Sequence, residues 1–303
     1  MKGISIVFNL YQPDKKVLEK ILESFQNQKI DSLIELVVVD KKTDDAENEM
    51  IKQFVKNAKK IKTEIIKVDS GLSFASSMNI GLKHAKYDKV VVIQQDCIPS
   101  SDEWLKNLIN PLKNKNVVAT TSKVIYPDEL WDSMSIFTKS IMLNEKGTIT
   151  PELDEKACGY NKEVFQKLGF FNENEFKTAG EDYDTYIKLK KFGIIAYPDA
   201  SVYHYHPIDF KNRMKKIKQY SNGFGALFRK IGTSLPRWYS GVIKSIPFLG
   251  IIGFILAFPY RKGMSLFPIY LLLTPLLHFN YIQGFWSGFL KGKQDIDVFV
   301  KRK

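Results

Sequence analysis

Acidic side chains follow two apolar runs in the first third of the sequence. Asp96 comes after Val90–Ile93 and two glutamines, and Asp40 directly follows Leu33–Val39. Runs this apolar are typical of strands that are buried on both faces of a parallel sheet. Because ligands of open α/β sheets bind just past the carboxyl ends of the strands, the pattern brings both carboxylates to a predicted ligand site. Asp96 could also be only a turn residue, and the stretch by itself favours neither interpretation.

A second acidic group, Glu181-Asp182 with Asp184, is predicted to begin a helix. Acidic residues in a first helical turn are favoured by the helix dipole, which explains all three without any chemistry. His204 and His206 alternate with tyrosines after a predicted strand, where a histidine is more often a packed, hydrogen-bonded residue than a ligand. Such residues can hold metals or move protons, yet their spacing alone assigns no reaction.

The elements that must position these side chains alternate between strands and helices as far as residue 125. Asp14 and Ser73 are predicted N-caps of two helices, and Ser100 and Ser101 of a third, because their side chains can accept a helical N–H. No GxGxxG loop lies between the first strands, which argues against a dinucleotide fold. We therefore predict an α/β fold with a doubly wound, mostly parallel sheet. The predicted strands are Ile4–Phe8, Leu33–Val39, Glu64–Val68, Val90–Ile93 and Val117–Thr121.

The net charge of +12 is concentrated in the last third of the chain. Residues 210–294 contain 13 lysines and arginines and no acidic residue, whereas the first two-thirds are near neutral. This distribution argues against nucleic acid as a partner of the whole protein. The two cysteines, Cys97 and Cys158, make no disulfide framework, so a reducing cytosol is the simplest setting, and no signal peptide is predicted.

Two apolar runs, Ile246–Tyr260 and Ser265–Ile282, lie within this basic segment. Both are short for a hydrocarbon core of ~30 Å, which needs about 20 residues, and both are interrupted by prolines. A spanning hairpin would place Arg261-Lys262 on the far side of the membrane, against the positive-inside tendency. We predict helices that lie in the membrane interface, with the basic residues on anionic head groups. A re-entrant or spanning hairpin and a buried helical pair of a soluble domain are the alternatives.

Five segments, in their order and spacing, resemble the family 2 glycosyltransferases with a GT-A fold, especially the bacterial and archaeal rhamnosyltransferase-like members. They are Ile4–Pro13, Leu36–Asp45, Phe74–Ala85, Val90–Leu105 and Gly180–His206. The resemblance implies a GT-A nucleotide-sugar-binding and catalytic domain over residues 1–208, with a donor half over about 1–125 and an acceptor half over about 126–208. Residues 209–303 would then be a basic, apolar, membrane-associated helical region.

The resemblance implies a nucleotide-diphosphate sugar as the donor and assigns residues to it. In that family the residues after the first strand line the pocket for the nucleotide base, and the acidic residue after the second strand contacts the base or the ribose. The serine-rich start of a helix lies near the sugar-phosphate. The DxD position falls on Gln94-Gln95-Asp96, which leaves Asp96 as the one carboxylate there for Mn²⁺ or Mg²⁺ and assigns Gln95 and Asp96 to donor binding. The other assigned residues are Asn9, Tyr11 and Gln12 at the base, Asp40 at base or ribose, and Ser76, Ser77 and Asn79 near the sugar-phosphate.

The family's acidic pair near the acceptor maps to Glu181-Asp182, with Asp182 as the general base. A histidine that sometimes completes the metal site maps to His204, with His206 as the alternative. The resemblance thus implies an inverting, in-line transfer to a hydroxyl. The basic, apolar last third favours a glycan or a polyprenyl-phosphate-linked glycan as the acceptor, at the cytoplasmic face of the membrane. The alternatives are a catalytically silent GT-A binding module, a nucleotidyltransferase on a related sheet, and a membrane-surface or nucleic-acid binding protein.

Overall fold

The structure is a computed structural model that describes residues 3–150, 152–206 and 209–296. Its strands are β1 (Gly3–Tyr11), β2 (Leu33–Lys42), β3 (Ile61–Lys67), β4 (Lys89–Gln94), β5 (Cys97–Pro99), β6 (Val117–Thr121), β7 (Lys123–Tyr126), β8 (Gly147–Ile149), β9 (Ala157–Asn161), β10 (Ile194–Ala196) and β11 (Ser201–His204). Its helices are α1 (Lys15–Gln26), α2 (Asp45–Asn57), α3 (Phe74–His84), α4 (Trp104–Ile109), α5 (Asp128–Ser133), α6 (Ile136–Met142), α7 (Lys162–Lys167), α8 (Glu181–Leu189), α9 (Phe210–Ile231), α10 (Trp238–Ser245), α11 (Leu249–Leu256), α12 (Tyr260–Gly263) and α13 (Phe267–Lys291). Short 3-10 turns lie at Asn110–Lys113, Leu143–Glu145, Gly232–Ser234 and Met264–Leu266.

The main sheet contains seven strands among the described residues, in the order β10-β6-β9-β4-β1-β2-β3. β1 pairs in parallel with β2 and β4, and β2 with β3, whereas β9 runs antiparallel between β4 and β6. Strands β1, β2 and β4 are buried along most of their length because separate apolar clusters cover the two faces of the sheet. The predicted doubly wound, mostly parallel sheet is therefore confirmed.

A smaller sheet has the strand order β5-β11-β7-β8. The chain leaves the main sheet at Gln94 and enters the smaller one at Cys97, through the turn Gln95-Asp96. β5 pairs antiparallel with β11, and the register places Cys97 opposite His204. Asp96 therefore lies where the two sheets meet, next to the end of the histidine-bearing strand.

Side-chain caps begin two of the helices as predicted. Asp14 and Ser73 each accept a hydrogen bond from a backbone N–H of the first turn, at 3.0 Å. The predicted caps Ser100 and Ser101 are wrong, because α4 begins without a side-chain cap. The hydroxyl of Ser100 instead shares a 2.6 Å hydrogen bond with that of Ser201, and this contact joins the end of β5 to the start of β11.

The C-terminal helices are held together by a close approach of α9 and α13. A Cβ atom on Gly225 would lie 2.1 Å from the carbonyl oxygen of Phe285, and one on Gly288 would lie 1.9 Å from that of Asn222. Since no Cβ fits at these distances, the two glycines are required for the helices to meet. The pair therefore packs the first and last helices of the basic last third directly against each other.

A broad apolar face, formed on and around α11 and α13, is exposed. Phe248 is 85% exposed, Leu272 80% and Leu256 75%, which does not fit the alternative of a buried helical pair. Segment Tyr260–Lys291 is long and apolar enough, by length and composition, to cross a membrane. The second apolar run, Ser265–Ile282, was predicted to be short for crossing a membrane. This prediction is wrong, because α13 continues the helix to Lys291. By contrast α11 is about 12 Å long, too short for one arm of a spanning hairpin.

Candidate active site

The turn between β4 and β5 brings Asp96 against two histidines. The carboxylate Oδ2 of Asp96 lies 3.0 Å from Nδ1 of His206 and 3.6 Å from Nε2 of His204. The backbone contributes to this arrangement, since Tyr205 donates its N–H to the Asp96 carbonyl oxygen at 2.7 Å. The two imidazole rings stack with centroids 5.5 Å apart. Both histidines singled out from the sequence are therefore beside the same carboxylate.

The protonation chemistry of this cluster suits a divalent cation. Burial opposes ionisation of Asp96, but the neighbouring His204 and the hydrogen bonds from both histidines hold its pKa well below the usual range. Burial lowers the pKa of His206, which keeps the imidazole neutral, and its Nε2 is buried without a hydrogen-bond partner. Ligand atoms of Asp96, Cys97 and His204 lie within 4.8 Å of one another. Carboxylate and imidazole ligands fit Mn²⁺, whereas burial keeps the Cys97 thiol protonated.

The second acidic motif begins α8. Gly180 precedes it with a φ of 101°, a conformation that favours glycine, and a Cβ there would lie 3.0 Å from the Phe176 ring. Burial and the adjacent Asp182 carboxylate raise the pKa of Glu181 to about 8. Burial and the Asp154 carboxylate raise the pKa of Asp182 to about 6. At neutral pH Glu181 is thus protonated and Asp182 ionised, a difference of the kind that acid–base catalysis can use.

These two groups of side chains line one cavity of about 430 Å³. Asp96, His204 and His206 come from the meeting point of the sheets, and Glu181 and Asp182 come from the start of α8. A cavity of this size takes a small-molecule ligand. Carboxylates that are distant in the sequence therefore line the same cavity.

Asn9, Tyr11, Gln12 and Asp40, predicted at the base and ribose, lie at the carboxyl ends of β1 and β2 and are not in the lining of that cavity. The Tyr11 backbone is held by Gln95, which accepts its N–H at 2.7 Å and donates to its carbonyl at 3.0 Å. Asp40 is buried and accepts from Thr43 at 2.9 Å. Gln12 has a φ of 45°. Contacts of these side chains with a donor stay predictions.

The serine-rich helix start is largely occupied by internal hydrogen bonds. Ser77 accepts from the Asn9 amide at 2.7 Å, which ties β1 to α3. Ser76 shares a 2.8 Å hydrogen bond with Ser73. Asn79 uses its amide on the backbone of Phe171, at 2.9 and 3.0 Å. Their structural roles were not foreseen from the sequence, and their predicted donor contacts stay predictions.

Several charged residues of the cavity wall were missed by sequence reasoning. Asp154 and Lys156 form an ion pair at 2.5 Å, and Glu155 between them accepts from Gln94 at 3.2 Å. They lie in the segment of weak periodicity after residue 128, although the clustered charges there were a possible signal. Arg213 lies on the basic helix α9. It pairs with Glu145 at 2.5 Å and also lines the cavity.

The residues just after α13 hold the segment that leads into the acidic motif. Gln294 is 1% exposed, and its side-chain oxygen accepts the backbone N–H groups of Lys177 and Thr178 at 2.8 and 3.0 Å. The Gln294 N–H in turn donates to the Glu175 carbonyl at 2.7 Å. The C-terminal helices thus contact the loop that positions Glu181 and Asp182.

The sheet order, the carboxylate after β4 and the acidic motif across the cavity define a GT-A-like fold. The family model for glycosyl transferase family 2 matches residues 5–169, and the chain belongs to that family. No curated protein matches the chain in sequence.

Three solved structures with this fold contain a nucleotide sugar, or a nucleotide together with a sugar. Mannosyltransferase PcManGT from Pyrobaculum calidifontis, in complex with GDP-Man and Mn²⁺, aligns over 93% of this chain and 87% of its own, with a TM-score of 0.64 and 13% identity. Residues 1–349 of S. aureus TarS, in complex with UDP-GlcNAc, align over 96% of this chain and 92% of their own length, with a TM-score of 0.53 and 15% identity. GalNAc-T7 with UDP, GalNAc and Mn²⁺ aligns over 78% of this chain and 52% of its own, with a TM-score of 0.55 and 13% identity. At sequence identities this low, the structural similarity shows a shared fold and nothing more.

Proposed function

We propose that the protein transfers a sugar, with inversion, from a nucleotide-diphosphate donor to a hydroxyl of a glycan or lipid-linked glycan at the membrane surface. The observation that carries the proposal is the shared cavity of Asp96 and Asp182. Asp96 lies beside two histidines, which suits a bound cation. Asp182 has a raised pKa, which suits a general base. GDP-Man and UDP-GlcNAc in structures of the same fold support this class of donor.

Asp182 is the proposed general base. Its pKa of about 6 leaves it ionised near neutral pH yet basic enough to take a proton from the attacking hydroxyl. Glu181, with its pKa of about 8, stays protonated and can donate a hydrogen bond to the acceptor. The Asp182 side chain is oriented by the backbone N–H of Tyr183, which donates to its Oδ1 at 2.7 Å. General-base catalysis contributes about 10²–10⁴-fold.

Asp96, with His204 or His206, is the proposed site for Mn²⁺ or Mg²⁺. A bound cation supplies charge neutralisation for the departing diphosphate. Gln94 in the family's first acidic position binds Glu155 and adds no charge to this site. Asp96 and the imidazoles therefore carry the predicted metal ligation by themselves.

The apolar face and the acid-free last third support work at a membrane. Exposed Phe248, Leu256 and Leu272 can enter the acyl region while the many lysines and arginines contact anionic head groups. We place the protein on the cytoplasmic face, where nucleotide sugars would be available. Nucleic acid is not an expected partner, because the basic segment carries long apolar stretches rather than alternating basic and aromatic positions.

The test is release of nucleoside diphosphate by purified protein from a panel of UDP-, GDP- and dTDP-sugars, with Mn²⁺ or with EDTA. We expect release from one donor class that needs the cation and increases when a glycan acceptor is added. The dTDP-rhamnose arm tests the rhamnosyltransferase-like resemblance. A protein that binds nucleotide sugars but releases nothing, with and without acceptors, is the silent module instead.

A further inference from the structure

A second cavity, of about 280 Å³, lies among the C-terminal helices. Its walls are mostly apolar and include Phe254 of α11 with Leu277 and Tyr281 of α13. Two cationic residues, Arg213 and Lys244, also line it, and none of the described residues that line it is acidic. Apolar walls with two cationic and no acidic residues among the described lining residues suit an amphiphile that carries an anionic group.

Lys244 is a cation without an anionic partner. Its ammonium lies 5.4 Å from the centroid of the Phe254 ring, and no ion pair or hydrogen bond of this ammonium exists among the described residues. Burial lowers the pKa of Lys244, so its charge is costly as the cavity stands. Lys244 is partly buried beside apolar walls, so an anionic ligand in the cavity can pair with its ammonium without displacing a protein partner among the described residues.

Arg213 lies on the wall between the two cavities and also has an unused donor. One end of its guanidinium pairs with Glu145 at 2.5 Å, while its Nε is buried without a hydrogen-bond partner. Arg213, Tyr220 and Phe224 line both this cavity and the one that holds Asp182. A molecule with its anionic group at this wall could reach the acidic motif at one end and the apolar chamber at the other.

The apolar chamber also adjoins the exposed apolar face. Phe254 and Leu277 lie on α11 and α13, the same helices whose outer sides carry exposed Leu256 and Leu272. A hydrocarbon chain in the chamber would thus be close to the surface that we expect to meet the acyl region. Free inorganic phosphate would use the cations but leave these walls uncovered.

We infer that this cavity is the acceptor-lipid subsite, in which the phosphate of a long-chain isoprenoid or alkyl phosphate ester binds to Lys244 and Arg213 while its chain lies along the apolar walls. The inference rests on the proposed glycosyl transfer, since it places the acceptor's hydroxyl end toward Asp182. Lys244 confers the preference for a phosphorylated lipid over a neutral one. General head-group contact belongs to other basic residues on the surface.

The test is equilibrium binding of radiolabelled farnesyl phosphate to the full chain, below its micellar concentration, with unlabelled farnesyl phosphate, farnesol and inorganic phosphate as competitors. The variants are Lys244→Met, which keeps the bulk and removes the charge, and Lys244→Arg, which keeps the charge. Lys215→Met is the matched control, because Lys215 is exposed on α9 and lines neither cavity. Sedimentation with phosphatidylglycerol vesicles is measured in parallel.

We expect Lys244→Met to weaken farnesyl phosphate binding at least tenfold, Lys244→Arg to restore most of it, and Lys215→Met to leave it unchanged. Farnesol and inorganic phosphate should compete poorly, and Lys244→Met should still sediment with the vesicles. Unchanged probe binding by Lys244→Met, or full displacement by inorganic phosphate, overturns the inference. Parallel loss of probe and vesicle binding overturns it too, since Lys244 is then a head-group contact.

The failure of this subsite differs from a failure of glycosyl transfer. Donor turnover by the wild type is measured without the lipid, so a protein that turns over a nucleotide sugar but ignores farnesyl phosphate loses only the subsite. A protein that binds farnesyl phosphate through Lys244 but turns over no nucleotide sugar keeps the lipid cavity and loses the transferase proposal.

Discussion

Replacing Asp182 by Asn should remove most of the transfer activity and at the same time stabilise the fold. The pKa of this carboxyl is raised from 3.8 to about 6, mainly by burial. Two pKa units correspond to about 3 kcal/mol by which the ionised form is disfavoured in the folded state. An amide of the same shape removes that penalty and can still accept the 2.7 Å hydrogen bond from the Tyr183 N–H.

The sign of this effect depends on pH. Because the folded-state pKa lies above the unfolded value, the penalty is absent below about pH 4 and complete above about pH 6. The stabilisation of Asp182→Asn over wild type should therefore reach about 3 kcal/mol at most near pH 7 and vanish near pH 4. Transfer by the wild type should rise with pH through about 6, since the base must be ionised.

The assays are thermal unfolding across pH 4–8 and initial rates of transfer with saturating donor. Asp184→Asn is the matched control: Asp184 lies in the same helical turn, but it pairs with Lys188 and, at 3.3 Å, with Lys230. The control should destabilise the fold at pH 7, whereas Asp182→Asn should stabilise it and lower the rate about 10²–10⁴-fold with donor affinity kept. Normal turnover by Asp182→Asn refutes the base, and equal destabilisation by both variants refutes the electrostatic reasoning.

Three further outcomes are expected. Asp96→Ala should weaken donor binding in Mn²⁺ and leave the residual binding insensitive to EDTA; equal affinities for wild type and variant, with and without EDTA, would remove Asp96 from the metal site. Replacing exposed Phe248 and Leu256 by Ser should reduce sedimentation with anionic vesicles without lowering the unfolding midpoint, and full sedimentation would argue against the apolar face as the docking surface. Gln294→Ala leaves two backbone N–H groups without their acceptor, so it should cost about 1–3 kcal/mol and lower transfer by displacing the acidic motif; unchanged stability would show that this contact is dispensable.

Local patterns predicted the main sheet well. The run Val117–Thr121 coincides with β6, and the caps Asp14 and Ser73 begin α1 and α3 as predicted. These features depend on interactions over a few residues, namely apolar runs that need burial and side chains that accept a nearby N–H. The sequence therefore contained most of what positions Asp96.

The acidic cavity wall and the role of the last third could not be predicted in the same way. Glu155 reaches Gln94 through strand pairing between distant segments, and Arg213 reaches Glu145 from a helix that begins 65 residues later in the chain. Gln294 was not singled out, because nothing local marks a buried glutamine that binds a loop more than 110 residues away. Long-range contacts of this kind leave no periodic pattern.

Anomalous scattering at the manganese edge, from crystals grown with Mn²⁺ and a non-hydrolysable nucleotide sugar, tests whether Asp96 binds the metal and Asp182 acts as the base. We predict one peak bonded to the Asp96 carboxylate and to an imidazole of His204 or His206, with Asp182 facing the sugar and free of metal. A peak held by Asp182, Glu181 or Asp154, with Asp96 unliganded, would contradict it.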